Sequence, residues 1–155
     1  MSDTKYGKCI IYQPKPAKVA QKIQQAKDKG IWTPDMKIIP TAYVDDEYVK
    51  GAFYTECVLV AKGGGDPEKS IAPGPHYHED FEEIIGLFGT DPADPFELNG
   101  QVDLTLGDEV HSITKSCLVV IPRMLVHCPI LYTRVDHPII TFTVAPVLNY
   151  TKVEA

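Results

Sequence analysis

Apolar and polar positions alternate in short runs along most of this chain. The clearest run is Gln101 to Leu106, where Val102, Leu104 and Leu106 share one face and Gln101, Asp103 and Thr105 the other. A period of two marks a half-buried strand. Gly107-Asp108 follows, a two-residue connection with glycine first, as a type II′ hairpin turn requires. Glu109 to Ile113 then forms the return strand. Cys117 to Ile121 is apolar without a break, which predicts a central strand buried on both faces. Val49 to Ala61, rich in β-branched and aromatic residues, is another strand region. Shorter candidates are Cys9 to Tyr12, Met36 to Ile39 and Thr41 to Val44 around Pro40, Ile130 to Tyr132, and Ile139 to Val144. One segment has a different period. From Pro16 to Lys29, Val19, Ile23 and Ala26 recur at helical spacing, Pro16 suits a first helical turn, and Gly30 suits the position past the end. Its other face carries Lys15, Lys18, Lys22, Lys27 and Lys29 and reads as solvated. Some ten short strands and one short helix predict an all-β sandwich or barrel.

The 155 residues predict a single domain, with residues 1–50 as an N-terminal helix and arm strands and 51–148 as the barrel. The net charge of −6 argues against a nucleic-acid partner, which would need a basic face. No apolar run approaches a membrane span, and the first residues lack an apolar signal core. Cys9, Cys57, Cys117 and Cys128 show no paired spacing, so they read as free thiols of a cytoplasmic protein. The loop from Lys62 to Pro75 carries Gly63-Gly64-Gly65. No lysine-serine signature follows, so it reads as a flexible rim or lid rather than a phosphate cradle.

The chemistry concentrates after that loop, in Pro73-Gly74-Pro75-His76-Tyr77-His78-Glu79-Asp80-Phe81-Glu82-Glu83-Ile84-Ile85-Gly86-Leu87-Phe88-Gly89. Residues i and i+2 of a strand share a face, so His76 and His78 can point at one spot. A short polar turn brings Glu82 or Glu83 back at the same depth. Adjacent residues face opposite ways, so only one of the two glutamates can join the histidines. Glu83 is favoured, because its parity also turns Ile85 and Leu87 inward. A fourth ligand is available in His127, after the apolar run Val119-Val120-Ile121-Pro122. Cys128 adjoins it but faces the other way. Further candidates are His111, on the return strand, and Arg123, near His127, as acid/base or substrate-pairing groups.

Both stretches resemble the two motifs of the cupin superfamily: histidine-x-histidine, a gap of three or four residues, glutamate and a later glycine, then proline ending an apolar strand with histidine five residues on. The resemblance spans roughly residues 52 to 145. Met124 stands where the second motif usually has glycine, and Leu131 where it often has asparagine. The resemblance implies a small double-stranded β-helix, or jelly roll, and one divalent transition metal: iron, manganese, nickel, zinc or copper. Three imidazoles and a carboxylate suit such an ion and leave open positions for a small-molecule ligand. The expected function is a metal-dependent enzyme of dioxygenase or isomerase/lyase type acting on a small oxygenated molecule. The alternative is a non-catalytic binding or sensing cupin. A homodimer is also expected, with its interface in residues 1–50, where Tyr6, Ile10, Ile11, Tyr12, Ile31 and Trp32 are apolar or aromatic.

Overall fold

The computed structural model describes residues 5–11, 21, 24, 25, 27, 28, 37–63 and 73–155. Among the described residues are ten strands: β1 (Lys37–Val44), β2 (Tyr54–Lys62), β3 (His76–Tyr77), β4 (Glu83–Gly89), β5 (Glu97–Leu106), β6 (Glu109–Lys115), β7 (Cys117–Ile121), β8 (His127–Val135), β9 (Ile139–Ala145) and β10 (Val153–Glu154). They form two five-stranded antiparallel sheets, in the orders β1-β2-β9-β4-β7 and β10-β3-β8-β5-β6. This is the double-stranded β-helix arrangement. Among the described residues no strand pairs across from one sheet to the other, so the expected barrel is an open two-sheet sandwich rather than a closed one.

The pattern explains the pairing. Along β5, Leu98, Gly100, Val102 and Leu104 turn inward at every second position, as the alternation predicts. Gly107, at φ 61, makes the predicted tight connection from β5 to β6. Between the sheets, Val60, Ile85, Leu87, Leu98, Val102, Ile121, Tyr132 and Ile139 form the main core. Each fully buried aliphatic side chain there contributes about 1.5–3 kcal/mol. A second buried cluster, Tyr43, Tyr54, Phe81 and Ala145, closes another part of the sandwich, with Val147 and Tyr150 packed against it.

Several elements differ from the sequence expectation. Cys9 belongs to a 3-10 turn (Gly7–Cys9) rather than a strand. Pro40 does not divide β1, because the register with β2 shifts between Pro40 and Ala42 and the strand continues past it. β2 begins only at Tyr54, since Asp45 draws the preceding residues into turns: its carboxylate accepts the Tyr48 N–H at 2.9 Å and the Tyr43 hydroxyl at 2.7 Å. β7 is an edge strand with Leu118 and Val120 exposed, not a central one. A continuous apolar run does not reveal whether both faces are covered. Of the helix predicted over 16–29, Gln21, Gln24, Gln25, Lys27 and Asp28 are helical and exposed, and the rest lies outside the described residues. No complete α-helix stands among the described residues. Tyr12, Ile31, Trp32 and most of the loop before Pro73 also lie outside them. No described helix is long and apolar enough to cross a membrane.

Candidate metal centre

Two strands facing each other start the site. β3 pairs with β8 at His76 opposite His127, and both rings turn toward the space between the sheets, 4.3 Å apart centre to centre. His78 lies just past β3, two residues after His76 and on the same face, with its ring 5.2 Å from each of the other two. Glu83 arrives from the opposite sheet, as the first residue of β4, paired with Ile121 of β7. The four side chains are almost wholly buried, and one donor atom from each lies within 4.8 Å of every other.

The backbone sets the ring orientations. His76 Nδ1 lies 2.8 Å from the Gly74 carbonyl, His78 Nδ1 2.7 Å from that of Thr151, and His127 Nδ1 3.0 Å from that of Leu125. A carbonyl only accepts, so each Nδ1 carries the hydrogen. In the neutral ring Nε2 is then a bare lone pair, and all three are turned inward. Among the described residues, Nε2 of His76 and Nε2 of His127 are buried without a hydrogen-bond partner. His127 Nε2 approaches Glu83 Oε2 at 3.0 Å, and His78 Nε2 approaches the same oxygen at 3.6 Å. A carboxylate and three acceptor nitrogens thus converge on one point. Buried polar groups are costly unless paired. A divalent cation satisfies all four at once, so the donor set fits a single divalent metal ion whose identity stays open.

Among the described residues, one proton donor enters this cluster. Tyr150 gives its hydroxyl hydrogen to Glu83 Oε1 at 2.6 Å, and the Tyr150 hydroxyl oxygen lies 3.2 Å from His78 Nε2. Burial pushes the Glu83 carboxyl up, but the nearby His127 ring and the Tyr150 hydroxyl outweigh it and hold the group below its usual range. Burial holds His76 below its ordinary value, with the bond to Gly74 opposing. Burial, then the Glu83 charge, pushes the Tyr150 phenol up, so it remains a donor.

The predicted residues sort cleanly. His76, His78, Glu83 and His127 come together. Glu82, the alternative ligand, lies outside the cluster because strand parity turns it outward, where it pairs with Arg123 at 3.3 Å, both half exposed. That pairing also engages Arg123, which points away from the cluster's interior. His111 sits on the exposed outer strand β6, outside the four-residue cluster, and meets Glu109 at 3.3 Å. Cys128 is buried and is not one of the four clustered donors; burial first, then the Glu83 charge, pushes its thiol up to about 12, which suits a packing role. Met124 adopts the left-handed conformation at φ 66 that glycine usually supplies. Its N–H still clips the turn to the His78 carbonyl at 2.8 Å.

Sequence reasoning missed Tyr150, Thr151 and the C-terminal strand. β10 pairs with β3, placing Glu154 opposite His76, and the Ala155 N–H reaches the Pro75 carbonyl at 3.0 Å. No local motif announces this. The available signal is an aromatic residue in a tail beyond the last long strand.

The fold and the four-residue cluster are those that the cupin resemblance implies. No protein-family model matches the chain, and no curated protein sequence matches it. Solved structures resemble this chain at low identity. An oxalate oxidase in complex with glycolate is 17% identical over 80% of this chain and 57% of its own, at a TM-score of 0.49. KdgF from Halomonas sp. is 17% identical over 73% of this chain and 81% of its own, at 0.40. An uncharacterized conserved protein with a double-stranded β-helix domain from Klebsiella pneumoniae is 12% identical over 79% and 81%, at 0.48. This chain therefore spans little more than half of the oxalate oxidase chain.

Proposed function

We propose that this chain is a mononuclear, divalent-metal enzyme of the cupin type, acting on a small organic molecule that meets the metal through its oxygens. The observation that carries this reading is the donor set: three inward Nε2 lone pairs and one carboxylate oxygen, buried and converging. His76, His78, Glu83 and His127 are the ligands in it. When bound, the metal supplies Lewis-acid polarisation and, if redox-active, a route to dioxygen. The chain contributes the rest. Four protein ligands leave two positions of a six-coordinate ion for the substrate. Phe81, stacked on His78 with centroids 4.4 Å apart, keeps one side of the site dry. Oxygenase, isomerase and lyase chemistry all use such a ligand set, and the metal divides them.

Metal analysis of untagged protein, followed by turnover screens with hydroxy-acid, dicarbonyl and phenolic compounds with and without dioxygen, tests the reading. About one divalent ion per chain and turnover of one class support it. Tight ligand binding without turnover across the screen replaces it with the sensing alternative. Absence of any metal affinity overturns the site.

The assembly proposed is a homodimer of one-domain chains. Three sheet edges are guarded: β1 by Pro40 and its register shifts, β10 by a length of two residues, and β6 by exposed Glu109 and Lys115. β7 has no such guard. It is apolar from Cys117 to Ile121, with Leu118 58% and Val120 61% exposed. A second copy pairing along this edge would cover it. Residues 1–50 are the other candidate interface, and Tyr6 and Ile10 there are exposed. Light scattering should give a dimer at micromolar concentration, and Val120→Lys a monomer; a monomeric wild type overturns the assembly. The four unpaired cysteines support a cytoplasmic, reducing compartment.

A further inference from the structure

We propose that Tyr150 is a positioning residue that divides the two oxygens of Glu83, holding Oε1 away from the metal so that Glu83 binds through Oε2 alone. This rests on the metal-site reading above. The two oxygens already have separate surroundings. Oε2 faces the histidines, at 3.0 Å from His127 Nε2 and 3.6 Å from His78 Nε2. Oε1 takes the Tyr150 hydroxyl at 2.6 Å. The Tyr150 oxygen also lies 3.2 Å from His78 Nε2, so two acceptors compete for one proton. The shorter contact is to a charged acceptor, which makes the stronger bond. His78 is left to offer its Nε2 lone pair inward, because its Nδ1 hydrogen goes to the Thr151 carbonyl.

Tyr150 can impose this because it is held independently of Glu83. Its ring stacks on Tyr54 with centroids 4.1 Å apart and planes 27° from parallel. Tyr54 is itself fixed, with its hydroxyl on Glu56 at 2.9 Å and its ring edge-on to Tyr43. Beyond Tyr150, β10 ties the tail to β3 beside His76. A free carboxylate binds metals through one oxygen or two. Remove the hydroxyl and Oε1 is free to join Oε2. A two-oxygen Glu83 occupies a position that a substrate or small anion would otherwise take.

Cobalt(II) is the probe, since its visible absorption reports coordination number, and azide reports the open positions. Wild type and Tyr150→Phe are loaded with cobalt(II) and titrated with azide. The expected result is unchanged cobalt stoichiometry, an altered visible spectrum, and azide affinity at least about tenfold weaker in Tyr150→Phe. Identical spectra and azide affinities overturn the proposal. So does a folded Tyr150→Phe that takes up no cobalt, because Tyr150 would then be building the site rather than dividing the carboxylate. If Tyr150→Phe fails to fold, a crystal structure of cobalt-loaded wild type decides: one Glu83 oxygen on the ion supports the proposal, and both overturn it. A wild type that binds no cobalt removes the metal reading itself, and this proposal with it.

Discussion

The space between the two sheets is filled in two ways. In one region Val60, Leu87, Leu98, Val102, Ile121 and Ile139 pack as a dry aliphatic core, whose buried polar pair, Tyr132 and Thr141, is satisfied by a single 2.8 Å hydrogen bond. In the other, Tyr43, Tyr54, Phe81 and Tyr150 surround three imidazoles and a carboxylate. Aliphatic side chains pack well without specific partners, and their stability is non-directional. The polar region has, among the described residues, two orphaned histidine nitrogens, each of which costs free energy until something pairs it, beside a buried carboxylate that takes the Tyr150 hydroxyl. The first region holds the sandwich together. The second is held in place by the first and is organised for a ligand.

Acidification should separate the two regions most widely. Three of the proposed ligands are imidazoles, which bind metal only when neutral. His76 is held below its ordinary 6.5 by burial. The unfolded chain therefore takes up this proton before the folded one does. The stability His76 contributes is complete above about pH 6.5 and is lost as pH falls from there toward the folded value. Glu83 behaves likewise from its ordinary 4.5 downward. Metal should leave between about pH 6 and 4, with tight binding delaying release. The far-ultraviolet signal of the sheets should persist past the loss of metal. Metal retained in full at about pH 4 would contradict three imidazole ligands.

Truncation sharpens the same contrast. His127→Ala should weaken metal binding by more than about 100-fold, because it removes a ligand rather than a ligand's support. It should leave the metal-free protein folded. Leu87→Ala should do the reverse, costing about 2–5 kcal/mol in denaturant unfolding while the surviving folded protein keeps its metal affinity. Equal losses of both properties in both variants would mean that the two regions are a single cooperative unit.

Much of this division is legible in the sequence, but unevenly. The spacing of His76 and His78 puts them on a shared face, and strand parity admits only one of Glu82 and Glu83 beside them, because both are consequences of a local period. His127 opposite His76 is a pairing between distant strands, visible only because each histidine sits in its own short pattern. Tyr150 is illegible for the opposite reason. It reaches Glu83 from 67 positions away, out of a tail with no period of its own. The exposed face of β7 is hidden too, since an apolar run looks the same at an edge as at a centre. Pro40 misleads because a proline usually ends a strand, whereas an edge strand with a bulge accommodates it.

The neighbouring glutamates give a narrower test of parity. Glu83→Gln should weaken metal binding by about 10- to 100-fold, a neutral amide replacing a charged oxygen. Glu82→Gln should change stability by no more than about 1 kcal/mol and leave metal affinity alone, because its pair with Arg123 is exposed. Isothermal titration with a chosen divalent ion separates them. A large effect at Glu82 would shift the register of the whole hairpin by one residue.

The smallest effect is expected at the mouth of the polar region, where Met124 sits at φ 66 and is 60% exposed. A left-handed backbone costs a residue with a side chain about 1–2 kcal/mol. Glycine removes that strain but adds about 0.5–1 kcal/mol of unfolded-state freedom to be lost on folding. Met124→Gly should therefore stabilise the protein by about 1 kcal/mol or less. The N–H at position 124 would still hold the His78 carbonyl, so metal affinity should not move. Thermal unfolding with and without metal measures both quantities. A clear loss of stability would show that the methionine side chain packs over the site and that its replacement of glycine is tied to the ligand. A gain confined to the metal-free protein would show instead that the metal already pins this turn, making the two regions less separate than their packing implies.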